Sequence, residues 1–467
     1  MVELLQYAFI AAPYLIAFGL AIGLVAFCLT AFRSPTAGIA LYILLFWFDA
    51  LFPDAPPLQL GLFIYVADLV GITVGLVALL RAFFAGSRPP VPLAWYVFLA
   101  LVVTSFGFGL PANGTAAGTA LRPYFYAIVI ASYCMTFPTN DGVARRALAA
   151  LGWAAAGMLL VVLSRWVIVV LPVDSLLPPG GRYDPMLTAS ILRVIGSDHA
   201  AVLGGVFVVG LFYAKDMRLN AIRLLTPALA VVVIGLQHRS VWLAVLAAIA
   251  ARFVLPAAGR RGTTQLLGLA LVLVLAAVPV ALSQRFQSAA GDVSQSAGRA
   301  AGLNDTANVR LQSWKFAIDK WRDGGPKAWA IGLPLGTSME RYLVTGGNQL
   351  RKISFQAHNN FVQMLFNFGL LGLGAILALY AVVMRRLYRL VPQAHTGPAA
   401  SALLLLLALQ LAYYMTYGVS YMQGMVLGVA VAYAMTMWRE VPVASASVAA
   451  DLPPADHGDP VWSKATA

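Results

Sequence analysis

The sequence predicts an all-α polytopic integral membrane protein with about twelve transmembrane helices and one large loop holding short interfacial helices. Three observations predict it. Of 467 residues, 61% are hydrophobic and 10% charged, with a mean hydropathy of +0.81; a water-soluble domain of that composition would have too little polar surface to cover itself. The apolar residues gather in runs of roughly the twenty residues that a membrane-spanning helix needs. Short basic loops recur at alternate connections, the signature of a cytoplasmic face.

Spans are expected near 9–32, 37–52, 62–83, 91–110, 122–137, 146–171, 199–214, 221–237, 239–256, 264–284, 358–384, 399–416 and 418–438. That is twelve or thirteen, because 37–52 is short enough to be partial or re-entrant. The opening stretch carries Glu3 where a signal peptide carries a basic region, and its apolar part is too long for a signal core, so a retained first helix is expected. Arg81 and Arg88, Arg145 and Arg146, Lys215, Arg218 and Arg223, Arg252, Arg260 and Arg261, and Arg385, Arg386 and Arg389 mark the cytoplasmic side. The chain thus divides into a first bundle part, 1–284, a loop, 285–357, a last bundle part, 358–440, and an Ala, Pro, Ser and Asp-rich tail, 441–467, expected to be disordered.

The net charge of +13 rests on few ionisable residues and is best matched to anionic lipid headgroups or phosphorylated ligands; no nucleic-acid partner is expected. Cys28 and Cys134 lie inside apolar runs and act as small hydrophobes. The loop 285–357 holds ten Lys and Arg against five Asp and Glu, an excess of +5 on the side away from the cytoplasm. Within it, Leu311, Trp314, Ile318 and Trp321 recur at helical spacing, predicting a helix in the headgroup plane with its tryptophans toward lipid.

Polar residues near membrane depth are costly, roughly 2.5–3.5 kcal/mol each, and so are functional candidates. His358 opens a helix on the outer side, followed by Asn359 and Asn360, and Asn360, Gln363 and Asn367 form one stripe that can line a hydrophilic pocket. The same residues also read as a helix cap. Gly369 and Gly372 offer a neighbouring helix a close approach. Arg239 sits in a turn between two apolar spans, as a ligand-binding or a snorkelling side chain. Arg310 in the loop and Arg193 before a span complete the outward cations, each also readable as a surface charge. Asp49, Asp54, Asp184 and Asp198 form no metal-site pattern, and neither a Walker motif nor a GxSxG elbow occurs. No metal and no cofactor is expected.

His358-Asn359, nine residues, then Gly369-x-x-Gly372, together with Arg239-x-x-x-Leu243 and a long loop between late helices, resemble the bacterial O-antigen ligases of the O-antigen ligase and polymerase superfamily. The resemblance covers roughly 190–440 in organisation. Arg310, 48 residues before His358, is similar to that family's essential loop arginine. The resemblance implies a GT-C-like inverting glycosyltransferase of the bacterial inner membrane, independent of metal and ATP, with its active site facing the periplasm. It implies transfer of a preassembled glycan from undecaprenyl diphosphate to a sugar hydroxyl of lipid A-core. Catalytic roles fall to His358 as base and to Arg239 and Arg310 at the diphosphate. Arg193, Asn359, Asn360 and Gln363 are the expected substrate contacts. The alternatives are an O-antigen polymerase of the same superfamily and, from another class, a secondary transporter; the two similar halves that a transporter would show are not found.

Overall fold

The computed structural model describes residues 23–53, 55–59, 63–86, 89–170, 192–254, 305–345, 349–354 and 357–440. The expected span 264–284, the start of 9–32, the tail from 441, and Asp54, Asp184, Arg88, Arg260 and Arg261 lie outside them.

The helices are α1 (Gly23–Arg33), α2 (Pro35–Leu51), α3 (Val66–Phe84), α4 (Leu93–Asn113), α5 (Thr115–Met135), α6 (Asp141–Val170), α7 (Ser197–Phe212), α8 (Asn220–Gly235) and α9 (Arg239–Val254). Beyond residue 254 the described helices are α10 (Asp305–Asp323) and α11 (Gly325–Ile331), both within the 285–357 segment, then α12 (Asn360–Leu390), α13 (Gly397–Tyr414) and α14 (Tyr421–Glu440). Five helices among the described residues are long and apolar enough to cross a membrane: α3, α4, the 141–168 part of α6, α12 and α13. The 37–52 segment is a helix of 17 residues, α2, begun by Pro35 behind the cap of Ser34. Phe84 and Leu224 are 75% and 82% exposed in a chain this apolar, which marks the outer walls as lipid-facing.

Two departures from an all-α reading are antiparallel hairpins. One joins β1 (Leu58–Gln59) to β2 (Phe63–Ile64), and the other joins β3 (Glu340–Thr345) to β4 (Gln349–Ser354), with Glu340 opposite Ser354 and Thr345 opposite Gln349. The periodicity search that finds helices is blind to a short two-stranded ribbon inside a polar loop. Arg81, expected in a cytoplasmic loop, is buried: its Nε donates to the Thr136 hydroxyl at 3.0 Å and its guanidinium lies 3.6 Å from the Phe137 ring centroid.

Lipid tails are as apolar as the side chains, so helices associate in a membrane through close backbone approach more than through burial. Gly424 and Gly428 of α14, one turn apart, lie flat against the backbone of Ala127 and Ala131 of α5, where any side chain would collide with those carbonyls.

The second device is a wedge. Helix α12 breaks at Gly369, whose φ of 66° and ψ of −168° are open to glycine alone. Into the break fits the segment after α11: Leu333 N donates to the Phe366 carbonyl at 2.7 Å, and a side chain on Gly369 or on Gly332 (φ 82°) would overlap the other strand's backbone. The Asn367 carbonyl accepts from the Ser105 hydroxyl of α4 at 2.8 Å, Leu335 N donates to the Ser105 carbonyl at 3.2 Å, and Asn113 Nδ2 donates to the Leu335 carbonyl at 2.8 Å. Polar backbone freed by the break is thereby satisfied, as an apolar surrounding requires. Gly369 therefore receives a loop where the sequence suggested a packed helix.

Candidate active site

The site is built from three chain ends that meet at one end of the bundle. The first is the start of α12. Asn359 is its N-cap, in extended conformation, its Oδ1 accepting from Phe361 N at 3.0 Å and Val362 N at 3.1 Å. His358 precedes it at φ 46°, in the left-handed region where a residue with a Cβ is strained. Both neighbours hold that strain in place, since the carbonyl of buried Ala357 accepts from Trp314 Nε1 of α10 at 2.5 Å. Trp314 therefore packs inward, and Trp321 Nε1 donates to the Ala328 carbonyl at 2.7 Å. This corrects the expectation of tryptophans turned to lipid, since an indole N–H is better placed on a carbonyl than in hydrocarbon. Leu311, Phe316 and Ile318 form the exposed face of α10.

Arg310, one turn before Trp314, follows it onto the site. Its guanidinium lies 5.6 Å from the Tyr417 ring centroid, and the His358 ring stands edge-on to the same tyrosine, 5.7 Å between centroids at 72°. Partial burial, and then the charge of Arg310, hold the His358 imidazole below its ordinary pKa.

The second end is the turn between α8 and α9. Gln237, at φ 55°, turns the chain, and its carbonyl accepts from Arg193 Nη2 at 2.9 Å. His238 Nε2 lies 2.9 Å from the Ile195 carbonyl; burial, followed by the charge of Arg193, pushes this imidazole down to about 4, so it is neutral at pH 7 and donates that hydrogen bond. Arg239 is the first residue of α9, half-buried, where its charge and the helix N-terminus both favour an anion. The strand of chain bearing Arg193 is braced from α6: Arg165 donates to the carbonyls of Val194 and Ala50, each at 2.7 Å, and Trp166 Nε1 to the Leu192 carbonyl at 2.9 Å.

The third end joins the other two. Tyr413 and Tyr417, at the end of α13, stack at 5.4 Å with planes 12° apart, and the Tyr413 hydroxyl donates to Ser197 Oγ at 2.9 Å. Ser197 opens α7, four residues after Arg193. His358 and Arg310 thus both lie against one tyrosine, whose stacking partner reaches the start of α7, four residues after Arg193.

Asn360 is fully buried, its Nδ2 on Met364 Sδ at 3.9 Å, and Asn367 is buried at 4% exposure, so two members of the polar stripe lie inside the bundle; Gln363 is half-buried. Asp198 pairs with His199 at 3.1 Å, and Asp49 accepts from the Tyr421 hydroxyl at 2.8 Å. Among the described residues no three His, Cys, Asp or Glu side chains gather as a metal site needs. Sequence reasoning missed Tyr413, Tyr417, Trp314 in its inward role, and Arg165. Only Arg165 carried a signal, as the lone charge inside the apolar run "VVLSRWVIVV".

Apolar spans capped at one end by strained backbone, paired aromatics and arginines define a multi-pass membrane protein with a polar, cationic site at one end of its bundle. The family model described as O-Antigen ligase matches residues 224–378, taking in Arg239, Arg310 and His358 and leaving out Arg193, Tyr413 and Tyr417. This match supports membership of the chain in the O-antigen ligase and polymerase superfamily, whose members act as glycosyltransferase-like enzymes on lipid-linked glycans. No curated protein matches the chain.

Proposed function

We propose that the protein is an O-antigen ligase of the bacterial inner membrane, working at the periplasmic face and completing lipopolysaccharide. In this reading 1–284 and 358–440 form a GT-C-like bundle of about twelve spans, to which the shorter apolar helices contribute, and 285–357 is the periplasmic loop. A sugar hydroxyl of lipid A-core gives its proton to His358 as its oxygen attacks the anomeric carbon of the donor glycan. The bond from that carbon to the phosphate oxygen breaks with inversion, and the electron pair leaves on undecaprenyl diphosphate.

The observation that carries the reading is the pair His358 and Arg310 on one tyrosine, at the same end of the bundle as Arg193 and Arg239. An imidazole held neutral is a ready proton acceptor, worth roughly 10²–10⁴-fold in rate. Guanidinium groups bind phosphate oxygens bidentately and keep their charge at any working pH, and they meet the charge that develops on the leaving diphosphate without a metal or ATP. Asn359 and Gln363 are assigned to the sugars, and Asn360, being enclosed, to the floor beneath them.

The test is purified protein in lipid nanodiscs with undecaprenyl diphosphate-linked glycan and lipid A-core, with no nucleotide and with chelator present. Wild type is expected to transfer the glycan, and His358→Ala to lose on the order of 10²-fold or more. Full transfer by His358→Ala removes the base assignment. Joining of two lipid-linked glycans with lipid A-core left untouched assigns the polymerase reaction in its place.

A further inference from the structure

A base and a guanidinium in one site are at odds. Burial, and then the charge of Arg310, lower the His358 pKa, yet a guanidinium N–H in direct reach of the imidazole would donate to its lone pair and take the nitrogen that must accept the substrate proton. The two side chains come from different elements, α10 in the loop and the start of α12 in the bundle, and each lies against the ring of Tyr417, at 5.6 Å and 5.7 Å from its centroid.

We propose that Tyr417 is a positioning residue for the transfer assigned above, a rigid spacer that keeps the Arg310 guanidinium off the His358 lone pair while leaving its charge close enough to act. The proposal rests on that functional reading for its consequence in turnover and on geometry alone for the spacing.

Three features make the ring fit for the task. Its plane is fixed by the near-parallel stack on Tyr413, which is 1% exposed and tied through its hydroxyl to Ser197 of α7. Its π face is attractive to a guanidinium, so Arg310, 5.6 Å from the ring centroid, has a place to rest other than the imidazole. The imidazole stands steeply to the phenol, at 72°, and not stacked on it. Among the described residues, the charged and titratable groups that face His358 are Arg310 from α10 and Tyr417 from the segment between α13 and α14. An aliphatic side chain of similar volume at 417 would fill space but offer no π face, and Arg310 would be free to close on the imidazole.

The experiment compares wild type, Tyr417→Phe, Tyr417→Leu and Tyr417→Leu with Arg310→Ala, each as the full chain in nanodiscs. Reaction of His358 with diethyl pyrocarbonate is followed by peptide mass spectrometry between pH 4.5 and 8.5, with no substrate present. In Tyr417→Leu the labelling rate at its high-pH plateau is expected to fall about fivefold and the midpoint to move to lower pH. Tyr417→Phe, which keeps the ring, and the double variant, which removes the competing donor, are expected to restore the plateau. Turnover in Tyr417→Leu is expected to fall at least tenfold in kcat with the donor KM within about threefold, the split that marks loss of a properly presented base. Unchanged labelling in Tyr417→Leu overturns the proposal, as does a loss of labelling that the double variant fails to restore. If labelling responds as expected while wild type transfers no glycan, the spacing stands and the functional reading falls.

Discussion

Trp314 Nε1 and the carbonyl of Ala357 are 2.5 Å apart, which ties the loop helix α10 to the peptide immediately before His358. Arg310 lies one turn earlier on the same helix, so this one hydrogen bond sets the approach of the guanidinium and the backbone of the imidazole together. Trp314→Phe keeps the ring and removes the donor, leaving a buried carbonyl unpaired at a cost of about 1–3 kcal/mol. Thermal unfolding is expected to shift down by a few degrees, and the transfer rate to fall by more than that loss of stability explains. An unshifted melting point with unchanged kcat would show the bond to be idle.

The acidic limb of the pH–rate profile reports His358. The reaction needs the neutral imidazole, whose pKa is held below its ordinary value of about 6.5 by partial burial and then by Arg310. Activity is therefore full above that value and lost as pH falls through the depressed one. In Arg310→Ala the limb is expected to move to higher pH but to stay below about 6.5, since burial persists, while kcat falls as the diphosphate loses a cation. A limb that moves down on removing Arg310 contradicts the arrangement.

His238 makes a separate prediction, about stability. Its pKa is about 4 in the folded chain against about 6.5 unfolded, so the unfolded state binds the extra proton between those values. Stability from this group is complete above about 6.5 and declines as pH falls toward 4, by on the order of 3 kcal/mol in total. His238→Gln is expected to flatten the slope of melting temperature against pH in that window. An unaltered slope would assign it to other groups.

At the kink, Gly369→Ala places a methyl against the Ala330 carbonyl at a φ that strains any L residue, with an expected cost of about 2–4 kcal/mol. Gly374→Ala, in the same helix with open space at its Cβ, is the matched control, expected to change stability by under about 1 kcal/mol and to favour the helix slightly. Equal melting points for the two variants would mean that the wedge does not form.

The helices were legible because hydropathy and periodicity are local properties, and alternation of the basic loops led to the expectation that His358, Arg239, Arg310 and Arg193 share one side. Asn359 was legible as a cap for the same reason. What joins these residues was not. Tyr417 is one aromatic among many in an apolar chain, and its value comes from meeting Arg310, 107 positions earlier, and His358, 59 positions earlier. Trp314 was placed on one stripe with Leu311 and Ile318, which are exposed as expected, but its indole turns to the Ala357 carbonyl, because periodicity gives a face and not where a long side chain reaches. Gly369 was noticed as a small residue, yet the φ that requires glycine there is set by Leu333 and Ser105, which no spacing rule connects to it.

The wedge at Gly369 bears on how independently three distant pieces of chain can move. With Leu333 bonded to α12 and Leu335 bonded to Ser105 and Asn113 of α4, the segment after α11 cannot lift away from either helix without breaking those bonds. Those three pieces of chain are therefore expected to shift and to melt as one body.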